Sequence, residues 1–265
     1  MQSSSIITLT TDFGYQDHYV SAMKAVILGI KPDVRLIDIS HQIPPHDTMA
    51  GAWVVRNSAM LFPSGTVHLV VVDPTVGTER RPVAIKINNQ FFVGPDNGIF
   101  SLIAEDFDYK AVTLDNQNYW RTKQSQTFHG RDIFAPVAAH LSAGRLLKDL
   151  GNPLEKLVTY RWAVPISDKD GIQGWIVHID RYGNLITNIP SDLIKDNIRN
   201  SDNIRIYVGN TILNEISTTF ASVTDGEPVA YIGGSDKLEI AINKGNAKEM
   251  LGVEKGAQIS IIIQK

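Results

Sequence analysis

The sequence predicts an α/β domain with a largely parallel sheet between helices, followed by a smaller, mainly antiparallel all-β domain. Up to about residue 150, short apolar runs alternate with helix-length patterns, which implies parallel strands with helices on both faces. Beyond residue 171, strand-like runs succeed one another with Gly, Asn, Asp and Ser between them, the pattern of a small barrel or sandwich. Ala163-Val164-Pro165 and Asp168-Lys169-Asp170 interrupt both patterns, so the expected domains are 1–160 and 171–265.

Residues 6–10 read as the first strand. Residues 17–30 follow as a helix, with Val20, Met23, Ile27 and Leu28 at helical spacing. Residues 34–39 are a second strand, and 47–61 a second helix with Asp47 near its N-cap. Strands are expected at 67–72, 83–87 and 91–93, a short helix at 97–104 and a long one at 132–143. In the second domain the strands fall at 174–179, 185–189, 204–208, 228–232, 238–242 and 258–263, and only 247–251 reads as helix.

The chain has 265 residues, of which 43% are hydrophobic and 20% charged, ordinary values for a globular protein with a sizeable core. A net charge of -3 without acidic or basic blocks gives no reason to expect a nucleic acid or an anionic membrane as partner. The chain has no cysteine, which excludes disulfides, thiolate metal sites and a thiol nucleophile. Residues 1–5 lack a basic region, and the apolar run after them spans only 6–9. That is neither a signal peptide nor a membrane span, so a cytoplasmic protein is expected.

Three strings could carry chemistry. In 70–84 an apolar run ends abruptly at Asp73-Pro74, Gly77 follows, and Arg80 returns before the apolar pattern resumes. This is a buried strand that delivers a carboxylate and a guanidinium at its carboxyl end, where open α/β sheets bind ligands. Asp12, in Thr11-Asp12-Phe13-Gly14, sits just past the first strand, where a carboxylate can accept two hydrogen bonds from a vicinal diol. His129, in Phe128-His129-Gly130-Arg131-Asp132, opens a helix, whose positive end favours a neutral imidazole that takes a proton or orients a water. Each has a plain structural alternative: a turn with one salt bridge, a turn-capping aspartate, a packing histidine. The turn Asp180-Arg181-Tyr182-Gly183-Asn184 likewise suits an ordinary hairpin.

Two groups, His41 with His46 and Asp47, and Asp12 with Asp17 and His18, raise the possibility of a metal-dependent hydrolase. Neither has the spacing of a zinc site, and no catalytic metal is expected. Gly-x-Ser-x-Gly, P-loop and dinucleotide glycine motifs are absent.

Taken together, seven strings resemble the S-adenosyl-L-methionine (SAM) hydroxide adenosyltransferases, adenosine-forming SAM hydrolases related to fluorinase and chlorinase. They are T-D-F-G at 11–14, D-I-S-H at 38–41, V-D-P-x-V-G-x-x-R at 72–80, G-P-D-N-G at 94–98, F-H-G-R-D at 128–132, I-D-R-Y-G-N-L-x-T-N at 179–188 and L-E-I-A-x-N-x-G-N-A at 238–247. They run in order over nearly the whole chain. The resemblance implies hydrolysis of SAM to adenosine and L-methionine, with SAM as substrate and no cofactor. It implies a homotrimer with active sites shared between subunits, and a water-handling triad at Asp73, Arg80 and His129. Asp12 falls on the ribose-binding aspartate, and Asp17, Asp180 and Asn184 fall around the methionine and adenine ends. Phe128, Ser235, Asn246 and Ala247 are expected to complete the substrate-binding set.

The sequence departs from the fluorinase pattern at His46, where that enzyme has tryptophan, and at Tyr19, where a serine is replaced. The halogenating relatives carry tyrosine and threonine where Asp73 and Arg80 stand, so both residues point to water rather than halide as the nucleophile. The alternatives are a SAM-dependent halogenase and a SAM- or adenosine-binding protein without turnover.

Overall fold

The computed structural model describes residues 5–160, 164–199 and 203–264. They divide into two compact units, Met1–Tyr160 and Arg161–Lys265. The first unit contains, in order, β1 (Ile6–Thr11), α1 (Tyr19–Ile30), β2 (Arg35–Ser40), α2 (Thr48–Ser58), β3 (Val67–Val71), β4 (Pro82–Ile87), β5 (Gln90–Pro95), α3 (Ser101–Asp106), β6 (Tyr109–Thr113), α4 (Ala135–Ser142) and β7 (Pro153–Leu154). Its seven-stranded sheet has the order β2-β1-β3-β5-β4-β6-β7.

The expectation of a largely parallel sheet is corrected to a mixed one. Strands β2, β1, β3 and β5 are parallel, whereas β4, β6 and β7 join antiparallel. The cause is a two-residue turn. Asn88 and Asn89 both have positive φ, 45° and 67°, as a tight hairpin turn requires, so β4 must fold straight back on β5. β6 and β7 extend that edge and escaped the sequence reading.

Both faces of the sheet are covered. Met23 and Ile27 of α1 and Val137 and Ala138 of α4 pack with Ile7, Leu9, Leu69 and Val71 on one side. Ala50 and Val55 of α2 and Ile103 of α3 pack with Val70, Val72, Ile85 and Phe92 on the other. Side chains along β3 thus alternate between two cores, as the twofold period of a strand dictates.

Because β2 and β3 lie on opposite sides of β1, the chain direction switches between β1 and β3. A parallel sheet opens a crevice at such a point, outside the carboxyl ends of its strands. Thr11 pairs in register with Val71, so Asp12 and Asp73 leave neighbouring strands at that crevice.

The helix expected at 132–143 is two elements. A π-helical turn, Gly130–Phe134, precedes α4. Pro136 has no amide hydrogen to give to the Asp132 carbonyl four residues earlier, which breaks the α-ladder there. That carbonyl instead accepts from the Arg121 amide at 2.9 Å, and the Ala135 amide reaches back five residues to Gly130. The helix expected at 97–104 begins only at Ser101, after a turn in which Gly98 has φ +90°.

The second unit contains β8 (Ile166–Asp168), β9 (Gly171–Ile179), β10 (Leu185–Pro190), α5 (Ser191–Asn197), β11 (Asn203–Val208), β12 (Thr211–Leu213), β13 (Pro228–Ile232), β14 (Lys237–Ile242), α6 (Ala247–Leu251) and β15 (Gln258–Gln264). Its strands run β12-β11-β15-β9-β10-β14-β13, with β8 on β9, and every strand pair is antiparallel. Leu185, Ile206, Leu238, Ile240 and Ile261 form its core. α5 was not foreseen, since its seven residues are too short to show a helical period.

Candidate active site

Arg80 is the centre of the site in the first unit. The loop after β3 releases Asp73, and Gly77, at φ +79°, turns the chain so that Arg80 comes back against it. The Arg80 Nε donates to both Asp73 oxygens at 3.1 and 2.9 Å, and Nη2 lies 2.6 Å from Oδ2. Such forked pairing fixes orientation as well as charge. The remaining Nη2 hydrogen goes to His129 Nδ1 at 2.8 Å. The Arg80 and Asp73 side chains are each only 6% exposed. Phe134 supports the guanidinium from its face, with the ring centre 5.2 Å from Cζ, and Thr75 Oγ1 donates to Asp73 Oδ1 at 3.2 Å.

This geometry fixes the imidazole. Arginine is only a donor, so Nδ1 of His129 must be the unprotonated nitrogen and the neutral ring carries its proton on Nε2. Burial, reinforced by the Arg80 charge, pulls the His129 pKa below its ordinary value, so the neutral form prevails near pH 7. The triad can therefore offer a water one N–H donor from His129 and an anionic acceptor in the Asp73 carboxylate, which Arg80 and Thr75 hold in place, beside a fixed positive charge.

Asp12 leaves β1 at the neighbouring strand end, and its Oδ2 accepts from the His46 amide at 2.9 Å. His46 has φ +68°, a left-handed conformation that few side chains tolerate, and this conformation presents its amide to Asp12. Behind it, buried His41 bonds Thr11 Oγ1 through Nδ1 at 2.7 Å. Asp17 is exposed in the bend before α1. Phe128 meets Phe13 and Tyr19 edge to face, at 6.1 and 5.3 Å between ring centres, an apolar wall able to carry a flat or aliphatic group.

In the second unit the β9–β10 turn is organised by Asp180. Its Oδ1 accepts from the amides of Tyr182 and Asn184, both at 2.9 Å, and its Oδ2 from the Asn184 side chain at 2.8 Å. Gly183 has φ +85°, and a Cβ there would come within 1.9 Å of Asn246 Oδ1, so the turn packs directly on the start of α6. Asn246 caps α6 and Ala247 is fully buried, while the Gly183 carbonyl accepts from the Lys248 amide at 3.0 Å. Ser235 donates to buried Glu239 at 3.3 Å, which also takes the Tyr231 hydroxyl at 2.7 Å. Burial, then Glu239 and Asp180, push the Tyr231 pKa up, so it remains a donor.

The structure thus brings Asp73, Arg80 and His129 into one bonded chain, and Asp180, Asn184, Asn246 and Ala247 into one corner of the second unit. Phe134, Thr75, the His46 amide, Tyr231 and Glu239 were not singled out from sequence. Thr75 and Glu239 lay inside quoted strings, Thr75 at an unspecified position. Among the described residues no three His, Asp or Glu side chains gather as metal ligands, and no helix is long and apolar enough to cross a membrane. A concavity of about 680 Å³ lies in the second unit between α5 and the 214–216 segment, and it includes none of the Asp180 corner.

Comparison with known proteins returns one family over both units. The family model described as SAM hydroxide adenosyltransferase N-terminal domain matches residues 7–151, and the corresponding C-terminal domain matches residues 174–260. The chain is 35% identical to an (R)-S-adenosyl-L-methionine hydrolase of Thermus thermophilus, over 95% of this chain and 97% of that one. It is 36% identical to an enzyme of the same name from Methanocaldococcus jannaschii, over 97% and 95%. A fluorinase from an Actinoplanes species is 27% identical over 97% of each chain. Among solved structures, an uncharacterized conserved protein from Thermotoga maritima superposes with a TM-score of 0.90 at 36% identity, covering 97% of this chain and 99% of that one.

Proposed function

This chain belongs to the SAM hydroxide adenosyltransferase family, and we propose that it hydrolyses S-adenosyl-L-methionine to adenosine and L-methionine. The observation that carries this reading is the buried guanidinium of Arg80 held between Asp73 and His129. The sulfonium of SAM already makes C5′ electrophilic, and methionine leaves as a neutral thioether, so the leaving group needs no general acid. What the reaction needs is an oriented oxygen nucleophile on the face of C5′ opposite sulfur. Orientation of that kind contributes roughly 7–11 kcal/mol. As the water oxygen bonds to C5′, the C5′–S pair passes to sulfur and one water proton must leave.

In this reading Arg80 stabilises the negative charge that develops on the water. His129 donates from Nε2 and holds the oxygen. Asp73 is the proton acceptor: it is the anion of the triad and has two oxygens, whereas the single lone pair of neutral His129 is taken by Arg80. The same carboxylate disfavours a halide: two like charges about 4 Å apart repel by about 4 kcal/mol at an intermediate effective dielectric. Asp12 suits the ribose hydroxyls, Phe128 and Asp17 the methionine end, and Asp180, Asn184, Ser235, Asn246 and Ala247 the remaining substrate contacts. The reaction draws on no cofactor. The finer reading is a cytoplasmic homotrimer in which residues of the first domain of one subunit and the second domain of its neighbour act on one substrate. The sharing of sites between subunits would account for the division of the binding residues into two groups, one in each unit.

The test is to incubate the purified protein with SAM and chromatograph the products, with and without a chelator. Adenosine and methionine in equal amounts in both samples are expected. No adenosine would reduce the protein to a binding module, and loss of activity with chelator would make it a metalloenzyme.

A further inference from the structure

The π-helical turn Gly130–Phe134 grips Arg80 twice. His129 at its entry accepts the Nη2 hydrogen, and Phe134 at its exit lies under the guanidinium. Between them stands Asp132, whose side chain is 0% exposed and which none of the catalytic roles above uses. A buried carboxylate is costly unless its oxygens are bonded, and these are fully engaged. Arg121 Nη1 donates to Oδ1 at 2.7 Å, Arg131 donates to both oxygens at 2.7 and 2.8 Å, and the Ser125 amide donates to Oδ2 at 2.8 Å. The Asp132 carbonyl, left free by Pro136, takes the Arg121 amide. Arg131 in turn lies over the Phe128 ring at 4.8 Å. One aspartate therefore ties the 121–125 loop, the π-turn and the aromatic wall together, three residues from the histidine.

We propose that Asp132 is a positioning residue for the reaction: by locking the π-turn to the 121–125 loop, it holds His129 Nδ1 in line with Arg80 and keeps the imidazole in its Nε2–H form. The inference rests on the proposed SAM hydrolysis for its kinetic part alone. The two arginines that neutralise Asp132 leave it no proton to exchange with substrate. Burial raises its pKa, but the bonds from Arg131, Arg121 and the Ser125 amide prevail and hold it at about 2. Its contribution is thus geometric.

The test compares wild type with Asp132→Asn, which keeps the shape but turns an amide hydrogen toward the arginines. Arg121→Gln is the second variant, at a side chain 39% exposed, and Arg131 and the Ser125 amide still bond the Asp132 carboxylate without it. Nitrogen-15 NMR of the histidine side chains, recorded without SAM, reads the His129 tautomer. Steady-state kinetics with SAM separate kcat from KM. Wild type should show a single Nε2–H tautomer. Both variants should show exchange between tautomers, with kcat lowered roughly 10–100-fold in Asp132→Asn and several-fold in Arg121→Gln, and KM within about threefold. A folded variant with a single unchanged tautomer and wild-type kcat would overturn the positioning role. If wild type makes no adenosine, the proposed function fails, and the NMR comparison still decides the role of Asp132.

Discussion

Arg80 could be picked out as a charge near a strand end, but its meaning depends on what it touches. A solvated arginine would bond weakly and interchangeably. Here the side chain is buried, forked onto Asp73 and bonded to His129. Removing Asp73 or Arg80 leaves the other buried without its charge partner, as well as removing its own chemistry. Asp73→Ala and Arg80→Ala should each lower kcat with SAM by roughly 10²–10⁴, the range for a lost base or charge stabiliser. KM should change much less, because the adenosine and methionine contacts are assigned to other residues. Wild-type kcat in either variant, measured on folded protein, would remove the triad from the mechanism. Sequence pattern pointed to all three residues, since each sits at a break between apolar runs. It did not reveal Phe134 beneath the guanidinium or the His46 amide on Asp12, because a ring in a helical run and a left-handed histidine leave no periodic signal.

At the scale of the element, β3 shows why strand ends and strand bodies behave differently. Its last residues project Asp73 into the crevice, while His68 near its start is buried against Phe92, with Thr8 Oγ1 on Nδ1 at 2.8 Å and Gln90 on Nε2 at 3.3 Å. Burial outweighs the Gln90 bond and pulls the His68 pKa down to about 4. The unfolded chain has an ordinary histidine near 6.5 and so binds the proton first as pH falls. Stability is therefore complete above about pH 6.5 and drains away as pH drops toward 4, by roughly 2–3 kcal/mol at pH 4.5 from this one group. Denaturant unfolding at pH 7 and pH 4.5 should show wild type losing that much more than His68→Gln. Equal losses would mean that His68 is not held neutral. The core strands and long helices were legible because apolar periodicity is strong in them. β6, β7, β8, β12 and α5 were not, being short, at sheet edges or without a full period. The single helix expected at 132–143 ignored Pro136, and that proline creates the π-turn on which the site depends.

At the scale of the whole molecule, the two-part character of the chain was visible in its texture: alternating elements first, then short strands only. The direction of the strands was visible only in part. The Asn88-Asn89 turn makes half of the first sheet antiparallel, and two asparagines between apolar runs are the signal for it. What survives that correction is the parallel core β2-β1-β3-β5, whose switch point between β1 and β3 sets Asp12 and Asp73 at one crevice. In the proposed reaction this crevice directs water at C5′ of SAM. The most direct measurement is mass spectrometry of the products formed from SAM in oxygen-18 water, in ordinary buffer and in molar chloride. Adenosine carrying one oxygen-18, as the only nucleoside under both conditions, is the expected result. Unlabelled adenosine, or a 5′-chlorinated nucleoside in the chloride buffer, would contradict it.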